Sequence, residues 1–111
     1  DEFNKSEGKG ITNIHSAEAD FSDAIRLNPN NAYIYYNRGN QHAGRNELSK
    51  AIDDYTIALR IDNRMAEAYY NRGIARAKSG NKQAGIQDLS KAGELGLYDA
   101  YSVIKRLNKA K

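Results

Sequence analysis

The sequence predicts an all-α solenoid of antiparallel helix pairs, on three observations. The 111 residues contain an internal repeat of 34, plainest as Tyr35-Tyr36-Asn37-Arg38-Gly39 and again as Tyr69-Tyr70-Asn71-Arg72-Gly73. Within each unit apolar residues recur at three- and four-residue spacing, the mark of one buried face on a helix. One proline in the whole chain, with Ala, Leu, Ile and charged residues abundant, favours helix over strand.

The first element is a lone helix over residues 14–28, closed by Asn28-Pro29-Asn30-Asn31. It is the second helix of a unit, because Ala17-x-x-Asp20-Phe21-x-x-Ala24 falls on Ala51-x-x-Asp54-Tyr55-x-x-Ala58 at the same shift. A helix over 32–45 follows, ending at Gly44-Arg45-Asn46. The next, over 48–61, carries Leu48, Ala51, Ile52, Tyr55, Ala58, Leu59 and Ile61 on one stripe. Residues 66–79 and 83–95 repeat the plan across Ser79-Gly80-Asn81, with Ile86, Asp88, Ala92 and Leu95 falling on Ile52, Asp54, Ala58 and Ile61. Links this short force antiparallel neighbours. A last helix opens at Asp99, placed to cap it, with Ala100, Tyr101, Val103, Ile104 and Leu107 along one side. Its cations Lys105, Arg106, Lys109 and Lys111 suit the negative end of the helix dipole.

The expected organisation is therefore an irregular or frayed segment at 1–12, a half repeat at 13–31, full repeats at 32–65 and 66–97, and a capping helix with a basic tail at 98–111. A terminal helix with a polar outer face suits the end of a solenoid and argues for the natural carboxyl terminus of a longer repeat protein. The start reads differently: Asp1-Glu2-Phe3 without an initiator Met suggests an excised fragment or an appended scar, from which targeting information could have been removed. The segment 1–12 shows none of the residues of a leading helix, which leaves the face of Ile14, Phe21 and Ile25 short of cover. A homodimer through that end is a secondary expectation.

Small residues set the packing. Gly39 and Gly73 sit mid-helix, where glycine costs about 1 kcal/mol against alanine. Their recurrence predicts places where two helix backbones come close, with Ala51, Ala58 and Ala92 serving the facing helix and Phe21, Tyr55 and Leu89 filling the space between. Arg38 and Arg72 recur with Asp54 and Asp88, each sixteen residues later on the partner helix. In an antiparallel hairpin that spacing brings them within reach, and it predicts Arg38–Asp54 and Arg72–Asp88 pairs.

The pattern resembles the tetratricopeptide repeat family, whose unit runs W-x-x-L-G-x-x-Y, then A-x-x-x-F, A and P. Tyr35 and Tyr69 take the Trp place; Gly39, Gly73, Ala51-x-x-x-Tyr55, Ala58, Ala17-x-x-x-Phe21, Ala24 and Pro29 match. The departures are Arg38 and Arg72 for Leu, His42 and Arg76 for Tyr, Gly85 for the second Ala, and Asn63 and Leu97 for Pro. The resemblance covers about residues 13–97 and implies a right-handed superhelical solenoid that serves as a protein–protein interaction scaffold. It also implies a concave groove, lined by the leading helices, in which extended peptides lie. The stripe that would face it holds Tyr33, Tyr36, Asn37, Asn40 and Ala43 in one unit and Glu67, Tyr70, Asn71, Ile74 and Lys78 in the next. Asparagine amides can donate to and accept from a peptide backbone, and tyrosines add rigid contact area. The plainer alternative is that Tyr36 and Tyr70 pack between adjacent leading helices. One subgroup of the family clamps the carboxylate end of chaperone tails; Asn37 fits a clamp position, but Glu67 and Asn71 stand where a lysine and an arginine are needed, so that ligand is not expected.

Composition narrows the other classes. Without cysteine there is no disulfide, thiolate metal site or cysteine nucleophile. No apolar run is long enough to span a bilayer, and the compartment stays open, with cytoplasm the default. His15 and His42 lie on different helices without carboxylate or metal-ligand spacing, Asp53 and Asp54 point in different directions as helix neighbours, and no phosphate-cradling loop appears, so neither enzyme nor cofactor is expected. Residues 1–31 hold three basic and six acidic groups and residues 32–111 fourteen and eight, hence −3 and +6. That asymmetry keeps a nucleic-acid-binding repeat as an alternative, against which the cations are scattered around every helix rather than gathered in a stripe. The other alternative is a structural or oligomerisation end of a larger repeat protein.

Overall fold

The computed structural model describes residues 13–109, with side chains from Asp20 onward. Among these residues every regular element is helical: α1 (Asn13–Leu27), α2 (Ala32–Gly44), α3 (Leu48–Ile61), α4 (Ala66–Lys78), α5 (Lys82–Glu94) and α6 (Asp99–Lys109). Each of α1 to α5 starts and stops within one residue of its expected span. The segment 1–12, the Ile14 side chain and Lys111 lie outside the described residues. The chain divides at Asn30/Asn31 into two units, the first holding α1 and the second α2 to α6.

In the second unit three helices end the same way. Asn46, Gly80 and Gly96 follow α2, α4 and α5 with φ of 61°, 101° and 109°. The amides just beyond, of Glu47, Asn81 and Leu97, donate to His42 O, Arg76 O and Ala92 O at 2.8, 2.9 and 3.0 Å. A left-handed residue followed by this long-range bond satisfies carbonyls the helix would leave bare, and it turns the chain sharply back. Starts are capped less uniformly: Asn31 Oδ1 accepts from the Tyr33 amide at 3.0 Å and Asn81 Oδ1 from the Ala84 amide at 3.2 Å. Asp99 differs from expectation. It is the first residue of α6, and the Ala100 and Tyr101 amides donate to Leu97 O and Tyr98 O, so its carboxylate complements the dipole instead of serving as the cap.

Consecutive helices of this unit pack in order, α2 on α3, α3 on α4, α4 on α5 and α5 on α6. One core cluster joins Ala32, Ala58, Leu59, Met65 and Ala68 across α2, α3 and α4; another joins Leu89, Ala92 and Ala100 across α5 and α6. Most of these are small, which brings the helix axes close, and Tyr55 and Leu89 are the large side chains fully enclosed. Tyr101, expected on the packed side of α6, is half exposed, although its ring lies over Gly93.

The two repeating glycines do different work. At Gly73 an added Cβ would stand 2.8 Å from Gly85 O, and at Gly85 2.6 Å from Gly73 O, so here two backbones do meet. Gly85 is thus no accidental departure from the repeat. At Gly39 the nearest neighbour is instead a side chain, the Tyr55 ring at 2.8 Å. The equivalent positions differ accordingly: Ala51 stands where the next unit has Gly85, and Tyr55 where it has Leu89.

Gly73→Ala should therefore lower stability by on the order of 2 kcal/mol, because a backbone carbonyl cannot step aside. Gly44→Ala, with nothing within 4 Å, should be neutral or slightly stabilising. Urea denaturation followed by circular dichroism checks both, and equal stability of the two variants would contradict the close approach.

Candidate functional site

The site is built on two buried carboxylates. Asp54 on α3 and Asp88 on α5 are 4% and 5% exposed, positions where a charge needs a cation facing it. Arg38 Nε and Nη2 donate to Asp54 Oδ2 and Oδ1 at 2.8 and 2.7 Å; Arg72 Nε and Nη2 donate to Asp88 in the same side-on fork at 2.8 and 2.8 Å. Each guanidinium also lies 5.8 Å from the ring of the tyrosine three residues earlier, Tyr35 or Tyr69. The bond to Asp54, ahead of opposing desolvation, raises the Arg38 pKa.

A second nitrogen-bearing side chain stands by each pair. Arg76 Nη1 donates to Asp88 Oδ2 at 3.0 Å, and at the equivalent place His42 Nε2 stands 3.6 Å from Asp54 Oδ2. His42 Nδ1 is 2.8 Å from Glu47 Oε1, so the expectation that no carboxylate surrounds this histidine is wrong. The left-handed turn at Asn46 folds Glu47 back onto the helix end, which linear spacing did not reveal. The hydrogen bond from His42, first among several causes, holds the Glu47 carboxyl below its ordinary value. Arg72 Nη1 also donates to Thr56 Oγ1 on α3 at 3.1 Å, tying one unit to the next.

On the adjoining face of the leading helices, the expected groove residues divide. Tyr36, Asn40 and Asn71 form one network: Asn71 Nδ2 donates to Tyr36 Oη at 3.1 Å and to Asn40 Oδ1 at 3.0 Å, and Tyr55 Oη donates to the same Asn40 oxygen at 2.6 Å. Tyr36 packs on the first core cluster and Tyr70 and Ile74 on the second, each of the three remaining partly exposed. Tyr33 is exposed and meets Tyr36 edge-on at 6.3 Å, while Asn37 and Glu67 are exposed at the rim. Among the described residues the Asn71 carbonyl, the Asn40 amide nitrogen and the Asn37 side chain make no hydrogen bond to protein.

Three hollows lie along this face. The first, of about 180 Å³, is lined by Asn40, Ala43, Leu48, Tyr55, Asn71, Ile74, Ala75 and Lys78. The second, of about 210 Å³, shares Ile74 and Lys78 and adds Ala77, Val103 and Leu107. The third, of about 520 Å³, is bounded by Tyr70 on α4 and by Asp99, Ser102, Lys105, Arg106 and Lys109 on α6. Sequence reasoning missed the contribution of α6 to this face. A helical wheel would have placed Val103 and Leu107 beside Ser102, Arg106 and Lys109, but the helix read as a cap. Among the described residues no group of His, Asp and Glu could hold a metal ion, and no helix is long and apolar enough to cross a membrane.

Helix hairpins repeated at a fixed period, with small residues at the contacts and a shared face of leading helices, define a helical-repeat scaffold. Two family profiles match the chain, one described as TPR repeat over residues 39–80 and one as Tetratricopeptide repeat over residues 21–53, together spanning more than half of it. The chain belongs to the tetratricopeptide repeat family and has its all-α solenoid fold. It is similar to the Arabidopsis OM64 TPR domain, with a TM-score of 0.79, 28% identity, and 99% of this chain and 95% of that chain covered. It is similar to the first TPR of Spaghetti (RPAP3) bound to the HSP90 peptide SRMEEVD, at TM-score 0.79 over 95% and 87% of the two chains; at 17% identity that likeness concerns the fold alone. It is also similar to YrrB, a TPR protein with an unusual peptide-binding site, at TM-score 0.73 and 28% identity, over 78% of this chain and 46% of that one. No curated protein sequence matches.

Tyr55 gives this network a spectroscopic handle. Burial, first, and the neighbouring Tyr36 push its hydroxyl up from 10 to about 12. A folded value above the unfolded one means the neutral phenol's stabilisation is complete below pH 10 and is lost as pH rises towards about 12. Phenolate absorbance in alkali should show a late-ionising tyrosine that disappears in Tyr55→Phe, while the helical signal persists. Absence of that late step would contradict the buried network.

Proposed function

We propose that this protein is an interaction module that holds an extended peptide or protein segment along the face of α2, α4 and α6. One observation carries the reading: the two hollows share Ile74 and Lys78 and so adjoin as a partly apolar channel beside the Asn40 and Asn71 amide groups. A channel of that kind can seat side chains while Asn37, Asn40 and Asn71 bond the ligand backbone. The fold supports it, because tetratricopeptide repeats typically act as non-enzymatic scaffolds, and similar structures include one bound to a peptide and one described by its peptide-binding site. Tyr33 and Glu67 then stand at the rim, Lys78 beside the channel, and Gly39, Gly73, Ala51, Ala58 and Ala92 keep the scaffold closed beneath it.

Selection from a random-peptide library on the immobilised protein tests this. Enriched peptides are expected to bind in solution, and Ile74→Ala to weaken them about tenfold with the helical signal unchanged. Tyr98→Ala, at an exposed position outside these hollows, should bind as wild type. Failure to enrich any peptide, or undiminished binding by Ile74→Ala, would refute the channel as the site.

A further inference from the structure

We propose that the α4–α6 end of this face recognises an acidic peptide segment carrying an apolar side chain; the inference rests on the peptide-channel reading above and adds the chemistry of the partner. The second hollow is almost wholly apolar, lined by Ile74, Ala77, Val103 and Leu107, with Lys78 as its charged member. Directly beside it, on the same two helices, the third hollow gathers Lys105, Arg106 and Lys109.

The helix dipole accounts for cations near the end of α6 but not for their side. The dipole is satisfied on any face of the last turns, yet the cations of this helix line one hollow, next to the apolar one. The acid in that lining is Asp99, in the first turn of α6, and ten residues of helix place it roughly 15 Å from Lys109. Among the described residues no carboxylate pairs with Lys78, Lys105, Arg106 or Lys109, whereas the arginines Arg38, Arg72 and Arg76 are engaged with buried aspartates. Lys82 Nζ donates to Leu107 O at 3.4 Å and holds positive charge at the same helix end.

Charge complementarity therefore selects the occupant. An aliphatic side chain of the ligand enters between Ile74 and Leu107, and flanking Asp or Glu residues lie against Lys78, Arg106 and Lys109. Nucleic acid would satisfy the cations but not the apolar hollow.

Fluorescence anisotropy of the full chain tests the proposal with three labelled probes: an octapeptide of Asp and Glu around a central Leu, its Leu→Ser version, and an oligouridine of similar charge. The Leu peptide should bind, weaken with added salt, and lose about tenfold in affinity with Arg106→Glu plus Lys109→Glu. The milder Arg106→Gln plus Lys109→Gln should weaken it in the same direction, which guards against a fold defect. Arg60→Glu plus Lys91→Glu, the same charge change on exposed positions outside the hollow, should leave it nearly unchanged. Equal binding of the Leu and Ser peptides, tighter binding of oligouridine, or equal loss in both charge-reversal pairs would overturn the proposal. If library selection enriches neutral or basic peptides that depend on Ile74, the channel stands and the acidic preference falls; if no peptide binds at all, both fall.

Discussion

Asp54 and Asp88 are carboxylates almost out of reach of water, and burying a carboxylate is costly unless good partners face it. The leading helix of each hairpin supplies those partners: a side-on arginine fork and, one turn later, the His42 ring or the Arg76 guanidinium. Sliding either helix along its partner by one turn would strand the charge, so the pair fixes the register of α2 on α3 and of α4 on α5. The glycine and alanine contacts can then close, because the opposing small residues meet only in that register. Arg38, Arg72, His42 and Arg76 stand where the family pattern has Leu and Tyr, and Asp54 and Asp88 are their complement; the departures belong to one substitution of ionic for apolar packing, made twice.

That substitution has consequences for the face proposed to bind. With the arginine stems occupying one flank of the leading helices, Tyr36, Asn40 and Asn71 turn to each other, and Tyr55 reaches through from α3 to complete the network. Side chains of the same kind that sequence patterning assigns to a ligand are thereby half spent on holding α2 beside α4. They gain in rigidity what they lose in free donors, and a rigid set of acceptors and donors costs less entropy to use in binding. Two of the hollows accordingly lie between α4 and α6, lined by apolar and by basic side chains.

How much of this was legible in the sequence differs by residue. The sixteen-residue spacing of Arg38 to Asp54 was readable because it recurs as Arg72 to Asp88, and a pair that repeats with its partner constrains geometry. Helix spans were readable from glycine, asparagine and apolar periodicity. The role of Gly85 was not, because it looks like a lapse from alanine until its partner Gly73 is seen 34 residues from Gly39, facing it across the hairpin. The His42–Glu47 contact was hidden by a turn whose direction depends on a left-handed Asn46. The cations of α6 were hidden for a different reason: the dipole gave them a sufficient explanation, and only three-dimensional placement distinguishes one side of a helix from another.

The central claim, that the buried ion pair sets the hairpin, is tested most directly by a double-mutant cycle on Arg72→Met and Asp88→Asn, with stabilities from urea denaturation. Each single change should be strongly destabilising, and the pair should show a coupling of about 2 kcal/mol or more, since Arg72 loses its reason to be buried once Asp88 is neutral. Single effects that add to within about 0.5 kcal/mol would contradict the account, placing the register in the apolar and glycine contacts alone.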